Sequence, residues 1–182
     1  FDALKRLTSK MPLDKITIQM LTDTCGYNRQ TFYYHFQDIY GLLTWGFEQE
    51  VLSVLKKGLA GRHWQERLMF LLNYVEMHHA FALAVIQSSA REILEQFFYD
   101  GIYDAIYALM DEMGSASDDK QRQFTVYFYT LAIAQLIARW LMDGRQQPPE
   151  EILQLLSPIV KNAAATVMTE EKADSLMSKK PC

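Results

Sequence analysis

A glutamine, a threonine and two tyrosines crowd one short stretch of the chain, Gln30, Thr31, Tyr33 and Tyr34. If Phe32 and Phe36 mark the buried side of a helix turning by about 100° per residue, Gln30 and Tyr34 point away from it and Thr31 and Tyr33 flank it. Exposed hydroxyl and amide groups on a short helix suit phosphate and base-edge contacts in a major groove. The same segment could instead be a small aromatic core of Phe32, Tyr33, Tyr34 and Phe36, so its context has to decide. Upstream, Leu21-Thr22-Asp23-Thr24-Cys25-Gly26-Tyr27-Asn28 has the form of two short helices joined by a tight glycine turn, the pattern of a helix-turn-helix. Gly26 suits a turn position of positive φ, and Thr22 and Cys25 are small enough for the helices to approach.

Other chemistry finds little footing. No nucleophile elbow, phosphate loop or paired-histidine metal helix follows Asp38, so neither catalytic residues nor an enzyme are expected. His78-His79 is the one histidine pair, and neighbours on a helix diverge by about 100°, which keeps them from sharing a metal. No metal and no cofactor are expected. Cys25 and Cys182 offer neither a disulfide framework nor a zinc spacing, which fits a reducing cytoplasm. No charged and then apolar leader opens the chain, which starts at Phe1, and a further N-terminal segment is expected ahead of it. The stretch Phe124 to Ala138 contains Thr125, Thr130 and Gln135 and falls short of the roughly 18 to 20 residues of a spanning helix, so a buried core helix and no membrane contact are expected.

With 182 residues, 49% of them apolar, the chain can fill one large or two small cores. Its net charge of −4 argues against a nucleic-acid partner, but the distribution softens this. Residues 1–45 hold Lys5, Arg6, Lys10, Lys15 and Arg29 against Asp2, Asp14, Asp23 and Asp38, a net +1, so the acidity lies elsewhere.

The periodicity that must position these groups is helical nearly throughout, and no alternating strand run appears. A first helix from Asp2 to Lys10 stops near Met11-Pro12. A second starts after Thr17, carries Ile18, Leu21 and Cys25 on one stripe, and ends at Gly26; Asn28 caps a third that ends near Phe36. Asp38 caps a long fourth helix to about Leu59. Helices are expected at Gln65 to His79, Phe81 to Ser88, Ala90 to Met113, Asp119 to Asp143 and Glu150 to Met168, with Pro158 kinking or splitting the last. The result is an all-α chain with a three-helix reading head in residues 1–45, a helical body in 46–170 and a frayed tail in 171–182.

Thr31-Phe32-Tyr33-Tyr34-His35-Phe36-Gln37-Asp38 followed by Leu42 resembles the signature of TetR-family transcriptional regulators. There a glycine turn leads into a recognition helix of the form Thr-Phe-Tyr-x-His-Phe, and the likeness extends back through Ile16-Thr17-Ile18 and Leu21 to Gly26. It implies base-edge or adjacent phosphate contacts from Gln30 and Thr31 and phosphate contacts from Tyr33, Tyr34 and His35. Thr17 adds a phosphate contact from the second helix, while Phe32 and Phe36 are structural. Arg29, at the edge of the buried stripe, could serve either role and is read as a DNA contact. Two positions depart from the pattern: Ile39 stands where the family commonly has lysine, and Tyr27 where a small aliphatic is usual. The missing lysine removes one phosphate partner and roughly one unit of salt dependence.

The helix from Gln121 to Asp143 is apolar around most of its circumference, with Phe128, Leu131, Gln135 and Leu136 near one stripe. The resemblance implies that the last two helices pair across a twofold axis as a four-helix bundle, adding Leu155 and Ile159 to a homodimer interface. Burial within one subunit is the alternative. Tyr74, His78, Phe97, Tyr103, Tyr107, Tyr127 and Arg139 are candidates for an effector pocket, against simple core packing or, for Arg139, a salt bridge. The ending Ala138-Arg139-Trp140-Leu141-Met142-Asp143-Gly144 with Pro149-Glu150-Glu151-Ile152 is similar to the C-terminal domain of the dihydroxyacetone kinase operon activator branch. That likeness implies control of a metabolic operon through a partner protein. The expected function is a homodimeric regulator of palindromic operator DNA, answering to a small-molecule effector or a protein co-regulator. A partner-binding co-regulator with weak or no DNA affinity is the alternative.

Overall fold

The first helix ends early because its own side chains compete for its last carbonyls. In the computed structural model α1 spans Asp2–Thr8 rather than reaching Lys10; Thr8 Oγ1 donates to Lys5 O at 2.9 Å and Ser9 Oγ to Arg6 O at 2.8 Å. The structure describes residues 1–58, 63–112, 119–144 and 146–162. After a 3-10 turn at Leu13–Lys15 come α2 (Ile18–Cys25), α3 (Arg29–His35) and α4 (Ile39–Phe47). Each of the three has the expected cap: Thr17, Asn28 and Asp38 accept from the amides of Met20, Thr31 and Gly41 at 3.2, 2.8 and 2.8 Å. Such a cap satisfies an otherwise orphaned donor and contributes about 1 kcal/mol.

Beyond Phe47 the helix widens into π-helical turns at Glu48–Leu52 and Val54–Gly58. The fourth helix therefore has nearly its expected extent but not its expected pitch, and a boundary at residue 45 falls inside it. α5 (Trp64–Met77) and α6 (His79–Ile86) meet at an 87° bend around His78, so His79 starts α6 instead of ending α5. Then follow α7 (Arg91–Glu112), α8 (Asp119–Met142) and a helix over 149–162, here α9. Helical backbone continues unbroken past Pro158, so the proline does not split α9. The expected end of that helix at Met168 and the tail of 171–182 lie outside the described residues.

α7 packs on α4, α5, α6 and α8, and the core runs through Leu71, Leu72, Leu94, Phe98, Ile102 and Ile137. An aromatic column joins α1 to this body. Phe1 meets Phe47 and Phe81 edge-on at 5.9 and 5.4 Å, and Phe47 stacks on Phe97 at 4.5 Å. Gly46 permits the contact, since a Cβ there would lie 2.2 Å from the Phe1 ring. By length and composition Arg122–Met142 is apolar enough to cross a membrane, contrary to expectation, yet it packs on α7 with Val126, Ile133, Ile137 and Leu141 buried. Among the described residues there is no strand.

Candidate nucleic-acid interface

The turn before α3 is made by one backbone angle. Gly26 has φ of +74° and its N–H, like that of Tyr27, returns to Thr22 O. A Cβ at Gly26 would meet nothing within 4 Å, so the glycine answers a conformational demand and not a steric one. Thr22 is buried where α2 meets its neighbours, and its hydroxyl donates back to Ile18 O at 2.9 Å. Cys25, expected on the buried stripe, is exposed instead: α2 turns its last residue outward as the chain enters the glycine turn.

Phe32 anchors α3 in the core beside half-buried Phe36, with ring centroids 5.7 Å apart. This leaves Tyr34 85% and Tyr33 51% exposed, so the reading of these four aromatics as a closed core does not hold. Arg29, Gln30 and His35 are exposed on the same helix and Thr31 is half-buried. The threonine hydroxyls differ in what they have left. Thr17 Oγ1 accepts from Met20 N, which leaves its proton free to be donated. Thr31 Oγ1 donates to Asn28 Oδ1 at 3.0 Å, which leaves it able only to accept. A cleft of about 500 Å³ opens beside this face, lined by Arg6, Cys25, Tyr27, Thr31, His35 and Trp45 among others.

Residues 62–162, more than half of the chain, match the TetR-type family described as a transcriptional regulator C-terminal region. The chain belongs to the TetR family of transcriptional regulators. It is 30% identical over 79 residues to the HTH-type dhaKLM operon transcriptional activator DhaS of Lactococcus lactis subsp. lactis (strain IL1403). That stretch is 43% of this chain and 42% of the relative's length. Among solved structures, the dihydroxyacetone kinase operon activator DhaS superposes with a TM-score of 0.72 over 92% of this chain and 93% of its own, at 23% identity. At that identity the likeness shows a shared all-helical fold.

The residues of this TetR-type body suggested as a single effector pocket fall into three places. Tyr74, His78 and Phe97 gather, with Tyr74 4.6 Å from His78 and 6.0 Å from Phe97 between ring centroids. They close over a polar bridge that sequence reasoning missed: Tyr74 Oη donates to Glu50 Oε2 at 2.8 Å, and Lys5 Nζ pairs with the same oxygen. Burial first, then the Glu50 carboxylate, pushes the Tyr74 hydroxyl far above its usual range. Burial and Lys5 hold His78 below its ordinary value, while Glu50 and Asp2 pull the other way. Tyr103, Tyr107 and Tyr127 lie instead on the outer surface of α7 and α8, where Tyr99, Tyr103 and Tyr107 stack at 6.2 and 6.0 Å. Arg139 is exposed and pairs with Asp143 at 2.9 Å.

The suggested dimer residues share one character. Phe128, Leu131, Gln135 and Leu136 on α8 and Leu155 and Ile159 on α9 are all exposed, while Ile152, Leu156 and Val160 turn inward. Among the described residues nothing covers that face. No group of His, Cys, Asp and Glu among the described residues could hold a metal ion.

Proposed function

We propose that the protein binds palindromic operator DNA as a homodimer, with α3 in the major groove. The observation that carries this is the outward set of Tyr34, Tyr33, Gln30 and Arg29 on a helix fixed from behind by Phe32 and from its start by Asn28. A short, capped, rigid helix presents these groups at little entropic cost. Thr17 and His35 add phosphate contacts at the edges of the groove, and Thr31 accepts from a base amino group.

The uncovered face of α8 and α9 supports pairing with a second copy, which would set the spacing of two α3 helices for successive turns of DNA. In this reading the body answers a small-molecule effector or a protein co-regulator, whose binding shifts the population of dimer states. The named role of the DhaS relative extends to this chain as control of a metabolic operon from within the cytoplasm. A gel-shift titration at low salt with duplex from the chain's own upstream region tests it: wild type retards the duplex, and Tyr34→Ala weakens binding about tenfold or more without lowering the melting temperature. Equal retardation by both proteins removes α3 from the interface.

A further inference from the structure

Resting on that DNA-binding reading, we infer that Arg6 grips a backbone phosphate beside α3. Arg6 is exposed on α1 and makes no ion pair or side-chain hydrogen bond with the described residues. It lines the same cleft as Thr31 and His35, which lie one turn apart on a single flank of α3. Neighbouring cations are otherwise engaged or placed: Lys5 is held by Glu50 between α1 and the body, and Arg29 sits at the opposite end of α3 from His35. Lys10 and Lys15 do not line this cleft. Among the described residues, the flank of α3 that carries Thr31 and His35 therefore has Arg6 as its permanent positive charge. A guanidinium presents a rigid fork of donors that matches two phosphate oxygens, and its long apolar stem can lie on the aromatic lining of the cleft.

A competing role is visible on the same helix. Asp2 lies four residues before Arg6 and also lines the cleft, a spacing at which an acid and a base can pair on a helix surface. Such pairing is purely structural and releases no counterions when DNA binds. The salt dependence of binding separates the two, because each phosphate neutralised contributes a slope of about 0.9 in log K against log salt.

The experiment is a fluorescence-anisotropy titration over a series of KCl concentrations, on a labelled mixed-sequence duplex long enough for two half-sites and on the tightest duplex selected from a random pool. Wild type, Arg6→Gln, Arg6→Lys, Asp2→Asn and Tyr34→Ala are compared, with thermal melting as the folding control. Arg6→Gln lowers affinity for both duplexes by a similar factor, roughly fivefold to tenfold, and flattens the slope by about 0.9 per half-site. Arg6→Lys keeps the slope, and Asp2→Asn tightens binding. An unchanged slope in Arg6→Gln, with Tyr34→Ala still weakened, overturns the role of Arg6 and leaves the DNA-binding reading intact. Wild type that holds neither duplex at any salt overturns both.

Discussion

Thr17 and Thr31 occupy equivalent-looking places near the starts of α2 and α3, yet the folded chain leaves one a donor and the other an acceptor. Sequence made both residues visible as candidates, and the cap at Asn28 with the glycine at 26 was legible for the same local reasons. The direction of each hydroxyl was not, because it depends on which neighbour takes the lone pair or the proton. A substitution that keeps the cap and adds a negative charge exploits this. Thr17→Asp still accepts from Met20 N, so melting stays within a few degrees of wild type, but a carboxylate now faces the phosphate and operator affinity falls by roughly tenfold or more. Paired melting and gel-shift measurements check it; equal loss of stability and binding would mean that Thr17 acts through the fold alone.

At the scale of elements, helix number and starts followed from periodicity and caps, whereas α4 and the junction of α5 and α6 departed from regular geometry. Nothing local in Glu48 to Gly58 announces π-helical turns, and the bend at His78 has no proline or glycine to mark it. Both belong to contacts between residues far apart in the chain. Glu50, in the widened part of α4, meets Lys5 of α1 and Tyr74 of α5, so one carboxylate ties the reading head to the body. Glu50→Gln keeps an acceptor for Tyr74 but leaves the largely buried Lys5 ammonium without its counter-charge, at a cost of about 2 kcal/mol in urea unfolding. A change below about 0.5 kcal/mol would class the pair with exposed surface bridges. His78 stands next to this bridge, and its pKa is lowered on folding, so the folded state favours neutral imidazole more than the unfolded state does. Its contribution to stability is complete above the ordinary histidine value of about 6.5 and is lost as pH falls below it. His78→Asn should therefore flatten the decline in melting temperature between about pH 7 and 5. An identical acid limb in the variant would assign that decline to other groups.

For the whole molecule, the informative surface is the one the described residues leave bare. The apolar circumference of α8 was legible from sequence, and so was its need for cover; which side stayed open required α7 and α9 to be in place. In the fold, α8 buries Val126, Ile133 and Ile137 against the body and leaves Phe128 55% and Leu136 42% exposed, and α9 adds Leu155 at 58%. Exposed apolar side chains of this size on two helices are costly in water, and in the proposed dimer a second copy of the same face gives a self-complementary, twofold solution. One charge on this face should decide the matter. Leu136→Glu would place a carboxylate opposite or near its own symmetry mate in a dry interface, so each copy meets both a desolvation cost and a like charge. The chain itself is expected to stay folded, because Leu136 packs outside the core and helix propensity is little changed by glutamate. Sedimentation at micromolar concentration should then find wild type as a dimer and Leu136→Glu as a helical monomer. Losing the second reading head removes half the phosphate contacts, so the salt slope of operator binding should fall to about half in the same variant. A variant that sediments as a dimer would move the twofold contact away from α8, while a monomer that keeps the full slope would show that one α3 helix is enough to hold DNA.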